Sequence, residues 1–352
     1  MEGLKNAMSR TISQTMSAAL LSGSVQGYDP LRELIAARCR GLNTRVDASR
    51  ILITSGSQQG IDLVARTMVD PGDVVAVEAP TYPGAIRTFR AHGANLISVP
   101  TDNDGVDVST LEMVFEQRRP KLLYLIPNFA NPTGVVLSIR RRRKVLELAA
   151  RYGVLIIEDD AYGELYFRDP PPQSLLTLAN DDERQWLVHL SSFSNVIAPG
   201  LRLAWLTAPD ELLRHMLVAK ETSDIHSSAM SQMIAYHFLN AGSLEPALSR
   251  ARTHYARQAS TMRRAIDEEF ARGSLVSDSA KGGMFQWMEF VGVNTQALVV
   301  TAINAGIAYA PGAQFFVDGT GTDCLRLAFA NASVEQIREG VRRLASVIYR
   351  KL

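Results

Sequence analysis

Short apolar runs at 51–53, 74–77, 95–99, 122–126, 154–157, 186–190 and 203–207 constrain this chain more than any other feature. They are largely continuous rather than alternating, and segments with helical spacing separate them. A strand that is apolar on both faces must be covered on both faces, which predicts an α/β fold with a mainly parallel, seven-stranded sheet between helices. Beyond about residue 209 the pattern changes. A long helical region to about Arg272 precedes strands at 283–289 and 324–329. A last helix from Val334 to about Lys351 opens on Ser333, with Gln336 three residues on, as a capping box does. This second part predicts a smaller α+β unit. At the other end Leu4, Met8, Ile12, Met16 and Leu20, about four apart, predict one amphipathic helix over 4–22. A Gly/Ser/Pro loop follows to Pro30, then helices over 31–39 and 61–69.

Composition removes several functions. The chain has 352 residues, 46% hydrophobic, ample for a large core. A net charge of +1 with 21% charged residues provides no general field for nucleic acid or an anionic membrane. Cys39 and Cys324 cannot form a disulfide framework, the first residues lack a signal-peptide pattern, and no apolar run reaches ~18 residues. A cytoplasmic protein is expected. The six histidines have no metal-ligand spacing, so no metal centre is expected. The run Arg140 to Lys144 reads as a solvated helix face.

The chemistry gathers after the strands. Ser191-Ser192-Phe193-Ser194-Asn195 and Pro199-Gly200-Leu201-Arg202 place hydroxyls and a guanidinium on one loop, as a phosphate dianion requires. Thr54-Ser55-Gly56-Ser57-Gln58-Gln59-Gly60 lies between a strand and a helix, where free N–H groups suit a phosphate as well as a simple cap. Tyr82, between Pro80 and Pro83, is by itself a rim aromatic. Asn131-Pro132-Thr133-Gly134 is a turn on any reading. Glu158-Asp159-Asp160 ends a strand with three acids, at the edge where open α/β sheets bind ligands; a metal site or a solvated edge would look the same. Arg326 is a charge inside the apolar strand at 325–329 and needs a partner.

Taken in order, these motifs resemble the fold-type-I, pyridoxal 5'-phosphate (PLP)-dependent class I/II aminotransferases of the 2-aminoadipate and kynurenine type, over about residues 25–350. The resemblance implies PLP as cofactor, with Ser57, Gln58, Ser192, Ser194 and Arg202 on its phosphate. It implies Tyr82 stacked on the ring, Asn131 and Tyr162 on the phenolate oxygen, and Asp159 on the pyridine nitrogen, which keeps the ring an electron sink. It implies Arg326 on the α-carboxylate of a small-molecule substrate. It also implies a homodimer, with 1–30 as N-terminal helix and dimer arm, 31–215 as the large PLP-binding-type domain, and 216–352 as linker helix and small domain.

Three departures set what to expect. The lysine that joins PLP covalently in the family falls on Asn195, which has no nucleophilic amine and does not titrate as a base. The family's tyrosine to the partner subunit's phosphate falls on Ser22. The family's further N-terminal stretch over the substrate is not in this sequence, which implies a more open pocket. The expectation is an aminotransferase-like enzyme acting on an α-amino acid or a derivative, holding PLP only non-covalently, without ordinary transamination. The alternatives are a PLP-independent catalyst of imine condensation, cyclisation or isomerisation, and an engineered lysine-to-asparagine variant made to trap an intermediate. The same domain is the ligand sensor of some transcription regulators, but the sequence holds no DNA-binding domain ahead of it, and that reading is rejected.

Overall fold

The computed structural model describes residues 2–271 and 273–350. The large sheet contains β1 (Ile51–Thr54), β2 (Val74–Ala79), β3 (Asn95–Asp102), β4 (Gly105–Val106), β5 (Leu122–Leu125), β6 (Leu155–Asp160), β7 (Leu187–Ser192) and β8 (Ala204–Thr207). Their spatial order is β1-β8-β7-β6-β5-β2-β3-β4. From β3 through β2, β5 and β6 to β7 the pairing is parallel. β8 is antiparallel to both β7 and β1, so β1 regains the common direction after two reversals. The sheet therefore has eight strands rather than seven. The extra one, β4, turns straight back onto β3, and two residues carry no periodicity to read.

Helices cover both faces because successive strand residues point to opposite sides. Ile51, Ile53, Leu123, Leu125, Ile156 and Leu187 pack with Leu31, Ile35, Phe115 and Val145. Leu52, Leu122, Tyr124, Ile157 and Val188 pack with Ile61, Val64, Phe89 and Met216 on the other side. Each fully buried Leu or Ile of these layers contributes about 2 kcal/mol of transfer free energy. The small sheet is antiparallel, β11-β12-β10-β9, from β9 (Leu275–Val276), β10 (Phe285–Phe290), β11 (Ala310–Pro311) and β12 (Cys324–Ala328). Its core, Met288, Phe290, Leu325 and Leu327, meets the helices Leu244–Glu269, Thr295–Asn304 and Val334–Tyr349. Ser333 and Gln336 form the expected capping box. No helix among the described residues is long and apolar enough to cross a membrane.

Several expectations are corrected. The first segment is two helices, Glu2–Gln14 and Met16–Ala19, and it buries Ala7, Thr11 and Ala19. The stripe Met8, Ile12, Met16 and Leu20 is exposed, because the small side chains are what allow close approach to the helix Ala229–Asn240. The basic run is not a solvated face: Arg141 is buried and Arg142 has no exposed surface. Arg141 pairs with Asp102, both Nη atoms at 2.6 Å. Arg142 donates to the carbonyls of Leu137, Pro127 and Gln173 and to Asn128 Oδ1 at 2.6 Å. The long helical region is three helices, the last ending at Glu269; Arg272 and Lys351 lie outside the described residues.

This topology brings the carboxyl ends of β1, β2, β5, β6 and β7 to one edge of the sheet. The amino end of β8 joins them because it runs the other way.

At that edge Glu78, 4% exposed, accepts a hydrogen bond from the Ile126 N–H at 2.8 Å. Burial pushes its pKa up to about 8, with that one hydrogen bond only partly opposing. The folded state then keeps a proton that the unfolded chain releases, so stability falls as pH rises from about 4.5 to 8. Glu78→Gln keeps the acceptor and removes the titration. In urea unfolding it should be more stable than the wild type by up to about 5 kcal/mol at pH 9 and no more stable at pH 4; equal pH dependence in the two proteins would refute the assignment.

Candidate active site

At the centre of the carboxyl edge, Asp159 lies at the end of β6 and is 4% exposed. Its Oδ2 accepts from the Tyr124 hydroxyl at 2.7 Å, while its buried Oδ1 has no partner. Burial raises its pKa to about 6, and the Tyr124 hydrogen bond pulls the other way. The acids on either side have separate duties. Glu158 accepts from the backbone of Leu175 and Leu176 and pairs with His189 Nδ1 at 2.8 Å. Burial opposes both charges of that pair, yet each favours the charged form of the other, so the Glu158 pKa is lowered and that of His189 raised. Asp160 accepts from Asn128 Nδ2 at 2.8 Å and from the Gly163 N–H. No group of three or more acid, histidine or cysteine side chains among the described residues is arranged for a metal ion; the three acids are neither a metal site nor a solvated edge.

The turn after β1 is cationic. Helix Ser57–Met68 starts earlier than its apolar spacing predicts, so Ser57 and Gln58 form its first turn. Gly56 caps it at φ 92°, and a Cβ there would lie 2.5 Å from Arg202 Nη2. Only glycine accommodates both that backbone and that guanidinium. Ser192, at the end of β7, accepts from the Ser194 N–H at 3.1 Å, which shapes the loop leading to Arg202. Gln58 Nε2 donates to Thr88 Oγ1 at 2.6 Å, and its Oε1 accepts from the Tyr82 hydroxyl at 3.1 Å. The Tyr82 ring folds back over Gly84, where a Cβ would lie 2.3 Å from it. Burial and then the Asp159 charge push the Tyr82 pKa up.

Arg326 belongs to β12, opposite Trp287 in β10. Its guanidinium lies 3.9 Å from the Phe285 ring centroid and 5.1 Å from that of Phe315, and its Nη1 donates to Asn131 Oδ1 at 2.6 Å. Stacking and one neutral acceptor replace the carboxylate that a buried arginine normally has. Burial lowers its pKa. Tyr162, edge-on to Phe285, has its pKa pushed up by burial and by Asp159, with Arg326 opposing. Asn195 Nδ2 donates to the Ala161 carbonyl at 3.1 Å, beside Tyr162.

Contacts thus link Arg202 to Gly56, Gln58 to Tyr82 and Asn131 to Arg326, the Asp159 charge reaches both Tyr82 and Tyr162, and Asn195 is tied to the end of β6. Sequence reasoning missed Tyr124, Arg142 and Lys220. A phenol in an apolar strand requires a partner, which was the available signal for Tyr124. Lys220 falls four residues after Met216 and seven after Leu213, on the buried face of its helix. Arg142 likewise precedes Val145 and Leu146 by three and four.

Solved structures of PLP fold type I share this architecture. The α-aminoadipate aminotransferase of Thermus thermophilus, complexed with N-(5'-phosphopyridoxyl)-L-leucine, matches with TM-score 0.93 and 37% identity over 99% of this chain and 88% of that one. The kynurenine aminotransferase of Pyrococcus horikoshii matches with TM-score 0.93 and 31% identity over 100% of this chain and 87% of that one. Among relatives by sequence, the 2-aminoadipate transaminase of Thermus thermophilus is 38% identical over 348 residues, 99% of this chain and 86% of the relative. The family model for aminotransferase class I and II matches residues 2–344. The chain belongs to the class I and II aminotransferase family.

Tyr124→Phe removes the hydrogen bond that restrains Asp159. The Asp159 carboxyl, followed by carbon NMR, should then titrate above about 6, and the protein should lose about 1–3 kcal/mol of stability. An unshifted titration would show that Tyr124 does not hold this acid.

Proposed function

We propose that this protein is an aminotransferase-like enzyme that holds PLP, or its amine form, non-covalently and takes an α-amino acid or a derivative with a free carboxylate. The observation that carries this reading is Asp159 Oδ1, a buried acceptor without a donor, in a site where Tyr82 feels the charges of Asp159, Arg202 and Arg326 together. An orphaned carboxylate oxygen inside a sheet is costly unless a ligand supplies the proton donor. A pyridinium N–H is such a donor, and the residues present fit the cofactor. When bound, PLP supplies an electron sink for the substrate's Cα.

The chain's own residues then divide the work. Asp159, largely ionised above about pH 6, holds a proton on the ring nitrogen. Ser57, Gln58, Ser192, Ser194 and Arg202 bind the phosphate, using hydroxyls, the helix start and one guanidinium. Tyr82 would cover the ring, and Asn131 and Tyr162 would hold its phenolate oxygen. Arg326, held in place by Phe285, Phe315 and Asn131, presents its remaining N–H groups to the substrate carboxylate. Asn195 stands where the family has its lysine. Its amide is committed to the Ala161 carbonyl and accepts no proton near neutral pH, so ordinary transamination is lost or slowed by at least about 10²–10⁴.

The division into 1–30, 31–215 and 216–352 is part of this reading, as are a cytoplasmic location and a homodimer. The exposed stripe Met8, Ile12, Met16, Leu20 and Leu21 supports the dimer, since a face this apolar suits a second copy better than water. Ile12→Glu should shift the protein toward monomer in analytical ultracentrifugation, and a monomeric wild type would end the dimer proposal.

Titration of the purified protein with PLP, followed by a panel of amino acids, tests the main reading. The wild type should show a saturable change in absorbance that dialysis reverses and borohydride does not fix. Asn195→Lys should gain cofactor mass after borohydride, and Arg326→Leu should weaken amino-acid binding about 10- to 100-fold. A wild type that binds no PLP would overturn the proposal in favour of PLP-independent chemistry.

A further inference from the structure

Lys220 has no exposed surface, and no role proposed so far uses it. It lies in the last turn of the helix Asp210–Glu221. Its Nζ donates to Asp224 Oδ1 at 2.7 Å and Oδ2 at 2.9 Å, to Ser227 Oγ at 3.1 Å and to Gln59 Oε1 at 3.2 Å. Burial lowers its pKa and Asp224 opposes this, so the ammonium survives by being paired. A buried ion pair of this type contributes little net stability compared with apolar packing. Its partners indicate what it does instead.

They converge on the turn between β1 and the helix Ser57–Met68. Gln59 Oε1, which accepts from Lys220, also accepts from the Ser55 N–H at 2.7 Å, and Gln59 Nε2 donates to Asp224 Oδ2 at 2.7 Å. Ser55 Oγ lies 3.1 Å from both Asp224 Oδ2 and Ser227 Oγ. Ser227 Oγ in turn reaches the Ile53 carbonyl at 3.4 Å. Both the N–H and the hydroxyl of Ser55 are therefore consumed by the network. What the turn has left to offer a ligand is the helix start at Ser57 and Gln58, together with the Arg202 guanidinium packed on Gly56.

We infer that Lys220 is a positioning residue for an anionic phosphate: clamped by Asp224, Gln59 and Ser227, it locks the Ser55–Gly56 turn so that the helix start and Arg202 converge on one phosphate group. Asp224 neutralises its charge, so Lys220 acts through geometry rather than by direct attraction. The inference rests on the proposed PLP site and adds a second layer to it.

The test compares equilibrium binding of PLP and of pyridoxal, which lacks the phosphate, to the full-length wild type, Lys220→Met and Gln59→Ala, read by tryptophan fluorescence. Gln59 is partly exposed, so Gln59→Ala breaks the clamp without burying a new group and serves if Lys220→Met does not fold. Each folded variant should lose about tenfold or more in PLP affinity, with pyridoxal affinity changed less than about twofold. Binding of inorganic phosphate, followed by phosphorus NMR, should weaken in parallel with PLP. Equal losses for PLP and pyridoxal, or no loss for either, would overturn the clamp and leave the PLP site standing. A wild type that binds neither PLP nor phosphate would overturn both.

Discussion

Three consecutive carboxylates at the end of β6 govern how the site is built. Buried at the edge of an apolar sheet, each must find its own partner or destabilise the fold by several kcal/mol. Glu158 turns to His189 of the neighbouring strand and to the start of the short helix Leu175–Leu178. Asp160 takes Asn128, which Arg142 holds from behind together with the Pro127, Leu137 and Gln173 carbonyls. Asp159 takes Tyr124 and keeps one oxygen free. Satisfying the three acids thus tethers the loops after β5 and β6 and leaves one directed acceptor between them.

The strand order explains why the remaining pieces face this acceptor. Six strands point their carboxyl ends one way, and β8, inserted between β7 and β1, reverses direction, so Arg202 before β8 and Ser57 after β1 meet at the same edge. Arg326 arrives from the other sheet and is held by two aromatic rings and an amide rather than by an acid. An arginine without an internal carboxylate remains available for one from outside. The site keeps two arginines and one unpartnered acceptor, while position 195 offers an amide already committed to a backbone carbonyl. In the proposed reading, ligand binding has been retained and proton transfer at that position given up.

Much of the arrangement was legible in the residues. Continuous apolar runs marked the strands, and the polar and turn residues at their ends marked the edge where Ser57, Tyr82, Asn131, Asp159 and Arg202 lie. Errors arose where a residue's surroundings override its type. Arg141 and Arg142 look like surface charges until carbonyls and Asp102 from distant segments are seen to enclose them. Met8, Ile12, Met16 and Leu20 look like a buried stripe, but the helix packs on Ala7 and Thr11 because small residues let it approach its neighbour. Lys220 lies outside any motif, yet its spacing from Leu213 and Met216 places it on the buried face of its helix.

Local hydrophobic pattern and turn chemistry were enough for the fold class, and the resemblance of the ordered motifs for the family. Which of those polar groups are spent on the protein, and which remain for a ligand, emerged only from the folded chain. Both oxygens of Glu158 are used and one of Asp159 is not; Ser55 is consumed and Ser57 lies at the free helix start. The physical reason is that hydrogen bonds between groups tens of residues apart depend on distances that no local pattern encodes. In a buried site, those distances separate a structural group from a binding one.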